Sequence, residues 1–179
     1  MSDIPCKAVF DTVFFQNGMW FVISVLFVCT GNICRSPTAD GVFRDLVQKA
    51  GLADQIMADS CGTTAFHVGE APDPRSCKMA ISRGYDLSML QARKLAHRDF
   101  SGFNYILAMD DGHLAELARQ CPVEYQNRIR LFLDFHPERR GQSVPDPYYG
   151  GASGFTQVFE MIEETAQALL IHIRQQHDI

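Results

Sequence analysis

The chain has 179 residues, 46% of them hydrophobic and 21% charged, which suits one globular domain with a real core. Its net charge of −5 argues against a nucleic-acid binder, which needs a basic patch to neutralise phosphates. The opening residues carry Asp3, Lys7 and Asp11 rather than a basic leader, and the apolar stretch Met19 to Val28 is about half of what spans a bilayer, so a cytoplasmic protein without a membrane span is expected.

Residues 1–21 precede the first core strand and form an extension of unassigned role, in which Met19 offers an alternative translation start. The domain proper is read as 22–179. Val22 to Val28 is a continuous apolar, β-branched run, the pattern of a strand buried on both faces. A turn-rich loop, CTGNICRSP, follows it. Apolar residues then recur at Ala39, Val42, Phe43, Leu46, Val47 and Ala50 with helical spacing. Ser36 is read as the N-cap of that helix, Pro37 as its first turn and Gly51 as its end.

The strand–helix alternation repeats. Ile56 to Cys61 is read as a strand, Pro74 to Arg83 as a helix closed by Gly84, and Tyr105 to Met109 as a third strand. Asp110 or Asp111 caps a helix through Gln120, Ile129 to Leu133 is a fourth strand, and a long helix bearing Phe155, Val158, Phe159 and Ile162 closes the chain. This alternation predicts an α/β fold: a three-layer α/β/α arrangement around a four-stranded parallel sheet, doubly wound and flavodoxin-like. Ligands of such sheets sit at the carboxyl ends of the strands, so the loop after the first strand is the expected site.

Six cysteines occur, at positions 6, 29, 34, 61, 77 and 121. In a chain of this length without a secretory leader they read as free thiols of a reducing compartment. Cys29 ends a buried strand just before a helix N-terminus, whose partial positive charge and unpaired N–H groups favour a negative sulfur. Arg35, six residues on, offers a planar fork of donors that matches two phosphate oxygens. Gly31 and Asn32 are the residue types that most readily take left-handed backbone angles and so turn successive N–H groups inward as an anion nest. The segment describes a phosphate cradle with a thiolate at its floor, suited to nucleophilic attack on phosphorus. The Ser36 hydroxyl can donate to the sulfur. No metal-ligand spacing occurs, and no metal or cofactor is expected. A general acid must come from elsewhere. Asp146, stiffened by Pro145 and Pro147 in a loop before the last helix, is the candidate.

The run from Val25 to Ala39, VLFVCTGNICRSPTA, resembles the signature of the low-molecular-weight protein tyrosine phosphatases, and Asp146-Pro147-Tyr148-Tyr149-Gly150 resembles their general-acid loop. Val68-Gly69, Pro72-Asp73-Pro74-Arg75 and Asp99-Phe100 are similar too, so the likeness runs from about Ser24 to the end. It implies Cys29 as nucleophile, Arg35 as phosphate clamp and Asp146 as general acid. Thr30, Gly31, Asn32, Ile33, Cys34 and Ser36 would form the substrate-binding loop, with Asn32 and Ser36 holding it. Phe66, Tyr148 and Tyr149 would line the mouth of the pocket, and Cys34 would be the redox partner that protects the nucleophile. The implied partner is a phosphotyrosine protein.

Phosphoarginine phosphatases and arsenate reductases share the scaffold. The former tend to carry Thr in place of Ile33 and lack the paired tyrosines. The latter need a closely spaced pair of further cysteines, which is absent here. A non-turnover module that binds phospho-ligands or senses redox state would be expected to lack one of Cys29, Arg35 and Asp146. The oligomeric state is not legible.

Overall fold

The computed structural model describes residues 22–149 and 151–179; the extension 1–21, with Cys6 and Met19, lies outside the described residues. Strand β1 (Ile23–Cys29) is buried along its whole length, as its unbroken apolar run requires. It pairs in parallel with β2 (Ile56–Gly62) and with β3 (Tyr105–Ala108), and β3 pairs in parallel with β4 (Ile129–Leu131). The strand order β2-β1-β3-β4 places the reversal of winding beside β1, so a crevice opens where Cys29 ends that strand.

The helices are α1 (Arg35–Lys49), α2 (Pro74–Ser82), α3 (Asp99–Gly102), α4 (Asp111–Gln120) and α5 (Gly151–His177). Alternate residues of β1 supply two cores. Ile23, Val25 and Phe27 join Val42 and Phe43 of α1, Ala80 of α2, and Phe159 and Ile162 of α5. Leu26 and Val28 join Phe100 of α3 and Leu117 of α4. The sheet is therefore covered on both faces, the expected three-layer α/β/α fold. Phe27 meets Phe43 and Phe132 edge-on at 5.7 and 5.4 Å between ring centroids. Each such fully buried side chain contributes about 1.5–3 kcal/mol relative to exposure. Among the described residues no helix is long and apolar enough to cross a membrane.

Several element ends depart from expectation. The fourth strand stops at Leu131 rather than Leu133, because Phe132–Phe135 winds into a 3-10 turn that buries Phe132 and Leu133. Helix α1 begins at Arg35 with Cys34 in the cap position and no side-chain cap. Ser36 lies inside the first turn instead, where its hydroxyl meets a sulfur rather than a backbone N–H. The short α3 was not anticipated; its Asp99 carboxylate accepts from the Ala96 N–H just ahead of it. Other punctuation is as read. Gly51, at φ 71°, ends α1 in the left-handed region, and the Asp110 carboxylate accepts from the His113 N–H at 2.9 Å to cap α4.

Candidate active site

The loop from Cys29 to Ser36 is fixed by donors outside it. The carbonyls of Cys29, Thr30 and Ile33 accept from the N–H groups of Thr63, Thr64 and Asp73 at 2.9, 3.0 and 2.8 Å. Taking these carbonyls from outside turns the opposite, N–H, edge of the loop toward the crevice, the arrangement of an anion nest. Asn32 supplies the left-handed residue, at φ 56°. Its buried side chain clamps that conformation by donating to Ser36 Oγ at 2.9 Å and accepting the Arg93 N–H at 2.9 Å. Arg93 is itself held by Asp59 and Asp99 at 2.8 Å each.

Gly31 does not take a left-handed angle, contrary to expectation. What its lack of a side chain permits is close approach: a Cβ there would lie 2.8 Å from His67 Cδ2. Ser36 Oγ lies 3.0 Å from Cys29 Sγ. Asn32 already donates to that hydroxyl, so the serine proton faces two acceptors, the sulfur and the Cys61 carbonyl at 3.4 Å.

Arg35 is almost fully buried, yet its guanidinium is well supplied with acceptors. Nη1 donates to Asp110 Oδ2 at 2.7 Å and to the Val144 carbonyl at 3.0 Å, and Nη2 reaches Asp146 Oδ2 at 3.3 Å. Burial disfavours charge on Asp110, but hydrogen bonds from His113 and Arg35 outweigh it and hold the carboxyl well below the usual range. Asp110 is thus ionised and fixes the guanidinium. It had been read only as a helix cap. The contact it makes spans 75 positions, which no local pattern can signal.

The Asp146 loop is held from α2. Arg75 donates to the Tyr148 carbonyl at 3.3 Å, and its guanidinium lies 4.9 Å from the Tyr148 ring and 4.7 Å from that of Phe155. Asp73 pairs with Arg75 at 2.8 Å and caps α2, and its own N–H bonds Ile33. One Asp-Pro-Arg segment therefore ties the Cys29 loop to the Asp146 loop.

A cleft of about 280 Å³ opens over this floor. Cys29, Arg35 and Asp146 all border it, together with Thr30, Gly31, Ile33 and Cys34 of the loop. Phe66 and Tyr148 stand at its rim, 84% and 47% exposed. Thr64 and His67 also line it, and no sequence pattern marks them. Asn32 and Ser36 do not line the cleft. They are buried behind the loop and act through it. Nothing is described of the Tyr149 side chain. Burial, with Asp73 nearby, pushes the Cys34 thiol up to about 12, so it is neutral at physiological pH.

Gly62 closes the back of the loop. A Cβ there would lie 2.7 Å from the Thr30 carbonyl oxygen and 3.2 Å from the Asn32 nitrogen, both main-chain atoms that cannot swing aside. Gly62→Ala should therefore displace the anion nest, at the ~1–3 kcal/mol typical of overpacking. Calorimetric titration with phosphate should show weakened binding beside a lowered Tm; unchanged phosphate affinity would mean that the loop tolerates the shift.

The family model described as low molecular weight phosphotyrosine protein phosphatase matches residues 24–178. A low molecular weight protein-tyrosine-phosphatase of Streptomyces coelicolor is 44% identical over 155 residues, covering 85% of this chain and 94% of that protein. A low molecular weight phosphotyrosine protein phosphatase of Schizosaccharomyces pombe is 44% identical over 149 residues, covering 83% of this chain and 95% of the relative. Among solved structures, YfkJ from Bacillus subtilis superposes with a TM-score of 0.83 at 36% identity, covering 90% of this chain and 99% of its own. A protein tyrosine phosphatase from Entamoeba histolytica with Hepes in its active site gives 0.82 at 38% identity, covering 86% and 98%.

Proposed function

The chain belongs to the low molecular weight phosphotyrosine protein phosphatase family and is a protein-tyrosine phosphatase, a hydrolase of phosphoproteins, and from that premise we propose how its residues divide the work. Cys29 attacks phosphorus as the thiolate. The S–P bond forms as the bond to the tyrosine oxygen breaks, and the three remaining oxygens stay on the loop N–H groups and Arg35. Asp146 gives its proton to the departing oxygen. It then takes one from the water that attacks the cysteinyl-phosphate, so thiolate and acid are both regenerated. Ser36 donates to the sulfur as attacking and leaving group, and Asn32 holds the loop.

The observation that carries this assignment is the meeting of Arg35 and Asp146, 111 positions apart, at 3.3 Å on a cleft that Cys29 also borders. Phe66 and Tyr148, and Tyr149 by its place in the motif, receive the phenyl ring. A thiolate at the bottom of a cleft suits the long phosphotyrosine side chain better than phosphoserine. The reaction needs no metal in this reading, since loop N–H groups and Arg35 carry the phosphoryl charge. Cys34, bordering the same cleft, is the proposed redox partner of Cys29 in a reducing, cytoplasmic setting. The catalytic domain is taken as 22–179.

The test is to assay the full chain with EDTA on p-nitrophenyl phosphate and on phosphotyrosine, phosphoarginine and phosphoserine peptides. Hydrolysis of the aryl esters should survive EDTA and exceed that of the other two. Asp146→Ala should slow phosphotyrosine turnover by ~10²-fold or more, the scale of a lost general acid. The loss should be smaller on p-nitrophenyl phosphate, whose phenolate leaves without a proton. Equal losses on both substrates would point to another acid.

A further inference from the structure

The clamp on Arg35 continues beyond Asp110. His113, on the first turn of α4 and 5% exposed, places Nδ1 2.9 Å from Asp110 Oδ1. Its other ring nitrogen, Nε2, lies 2.8 Å from the hydroxyl of Thr30. Thr30 is the residue directly after the nucleophile, and Arg35 stands at the other end of the same loop. Thr30, His113, Asp110 and Arg35 thus form a side-chain chain that leaves the loop at its start and returns to it at its end. Asp110 Oδ1 accepts its hydrogen bond from the His113 backbone N–H at 2.9 Å, the ring Nδ1 stands beside it as a close contact rather than an aligned hydrogen bond, and Nε2 pairs with the Thr30 hydroxyl.

We propose that His113 is a positioning residue for the phosphatase reaction: a clip from α4 that holds both ends of the phosphate loop in register. The proposal rests on Arg35 and the loop holding the substrate phosphate. The backbone of Thr30 is already fixed, because its carbonyl accepts from both the N–H and the hydroxyl of Thr64 at 3.0 Å. The hydroxyl bond to His113 adds the one restraint that joins Thr30 to α4. It ties the Thr30 side chain, and with it the start of the loop, to the helix whose capping Asp110 holds the guanidinium. Two groups that bind opposite sides of one phosphate gain from being fixed to each other before it arrives. A histidine that merely filled a buried corner of α4 would affect stability alone.

The experiment measures kcat, KM and orthovanadate inhibition for Thr30→Val, His113→Ala, the double variant, His113→Gln and His113→Asn, each with its Tm. Glutamine carries an amide to the Nε2 position and can restore the Thr30 bond; asparagine reaches only Asp110. Each single loss should weaken vanadate binding on the order of tenfold, the worth of a hydrogen bond in a charged network. The double variant should be no worse than the poorer single one, because both break the same chain. His113→Gln should recover vanadate affinity when Thr30 is present and fail to do so with Thr30→Val. Additive losses, or unchanged vanadate affinity in Thr30→Val, would overturn the clip. If His113→Ala does not fold, Thr30→Val and His113→Gln, alone and combined, decide the matter. An unaltered chain that fails to hydrolyse phosphotyrosine would instead overturn the assignment of function.

Discussion

Cys29→Ser should abolish turnover of every phosphate ester, with a loss on the order of 10⁶-fold in kcat, the scale seen when a covalent nucleophile is removed. A serine hydroxyl in the same place has no neighbouring base to take its proton. Cys29 Sγ lies 3.0 Å from Ser36 Oγ, with the start of α1 directly after the loop. Binding should survive, since the loop N–H groups and Arg35 are untouched. Removing a negative sulfur from beneath a dianion should, if anything, tighten it. Stopped-flow assays for turnover and calorimetry with a phosphotyrosine peptide would read the two separately. Residual turnover near the wild-type rate would remove Cys29 from the mechanism.

Arg35→Lys should lower kcat by ~10²–10³-fold, comparable with the loss of an oxyanion-hole donor, although the charge is conserved. The guanidinium does three jobs at once: Nη1 serves Asp110 and the Val144 carbonyl, and Nη2 faces the cleft toward Asp146. An ammonium is a single point on a flexible stem and cannot reproduce that fork. Its charge draws it against Asp110, away from the phosphate. The loss should therefore fall mainly on kcat rather than KM, with vanadate binding weakened in parallel. A variant that kept kcat would show that charge alone suffices.

Much of this site was legible because its chemistry is local. Cys29, Asn32, Arg35 and Ser36 share one short loop, and the buried run before it could only be a central strand. Asp146 was found through its flanking prolines and the resemblance its segment carries. What escaped notice acts at a distance. Asp110 looks like an ordinary helix cap, and it is one, but its second oxygen holds Arg35 across 75 positions. His113 carries no signal of its own in the chain, and Arg75 only that of the resembling Pro72–Arg75 segment, since each matters through a partner on another element. Ser36 misled for a related reason: a serine ahead of a helical stripe usually caps the helix, and here a sulfur and an asparagine claimed its hydroxyl first. The fourth strand was read too long because Phe132 and Leu133 are as apolar as strand residues, yet they are buried by a turn.

The bond between Arg35 and Asp146 carries one more consequence, for the order of events in a catalytic cycle. The edge of the guanidinium nearest the cleft is shared with the proton donor itself at 3.3 Å. A phosphate group reaching Nη2 competes with that carboxylate for the same hydrogens. In the proposed mechanism the incoming dianion displaces Asp146 from Nη2 and leaves its carboxyl group beside the departing oxygen. The buried arginine keeps a counter-charge throughout, because Asp110 stays on Nη1 at 2.7 Å. In that mechanism a tyrosine without its phosphate offers Nη2 no anion and leaves the contact with Asp146 in place.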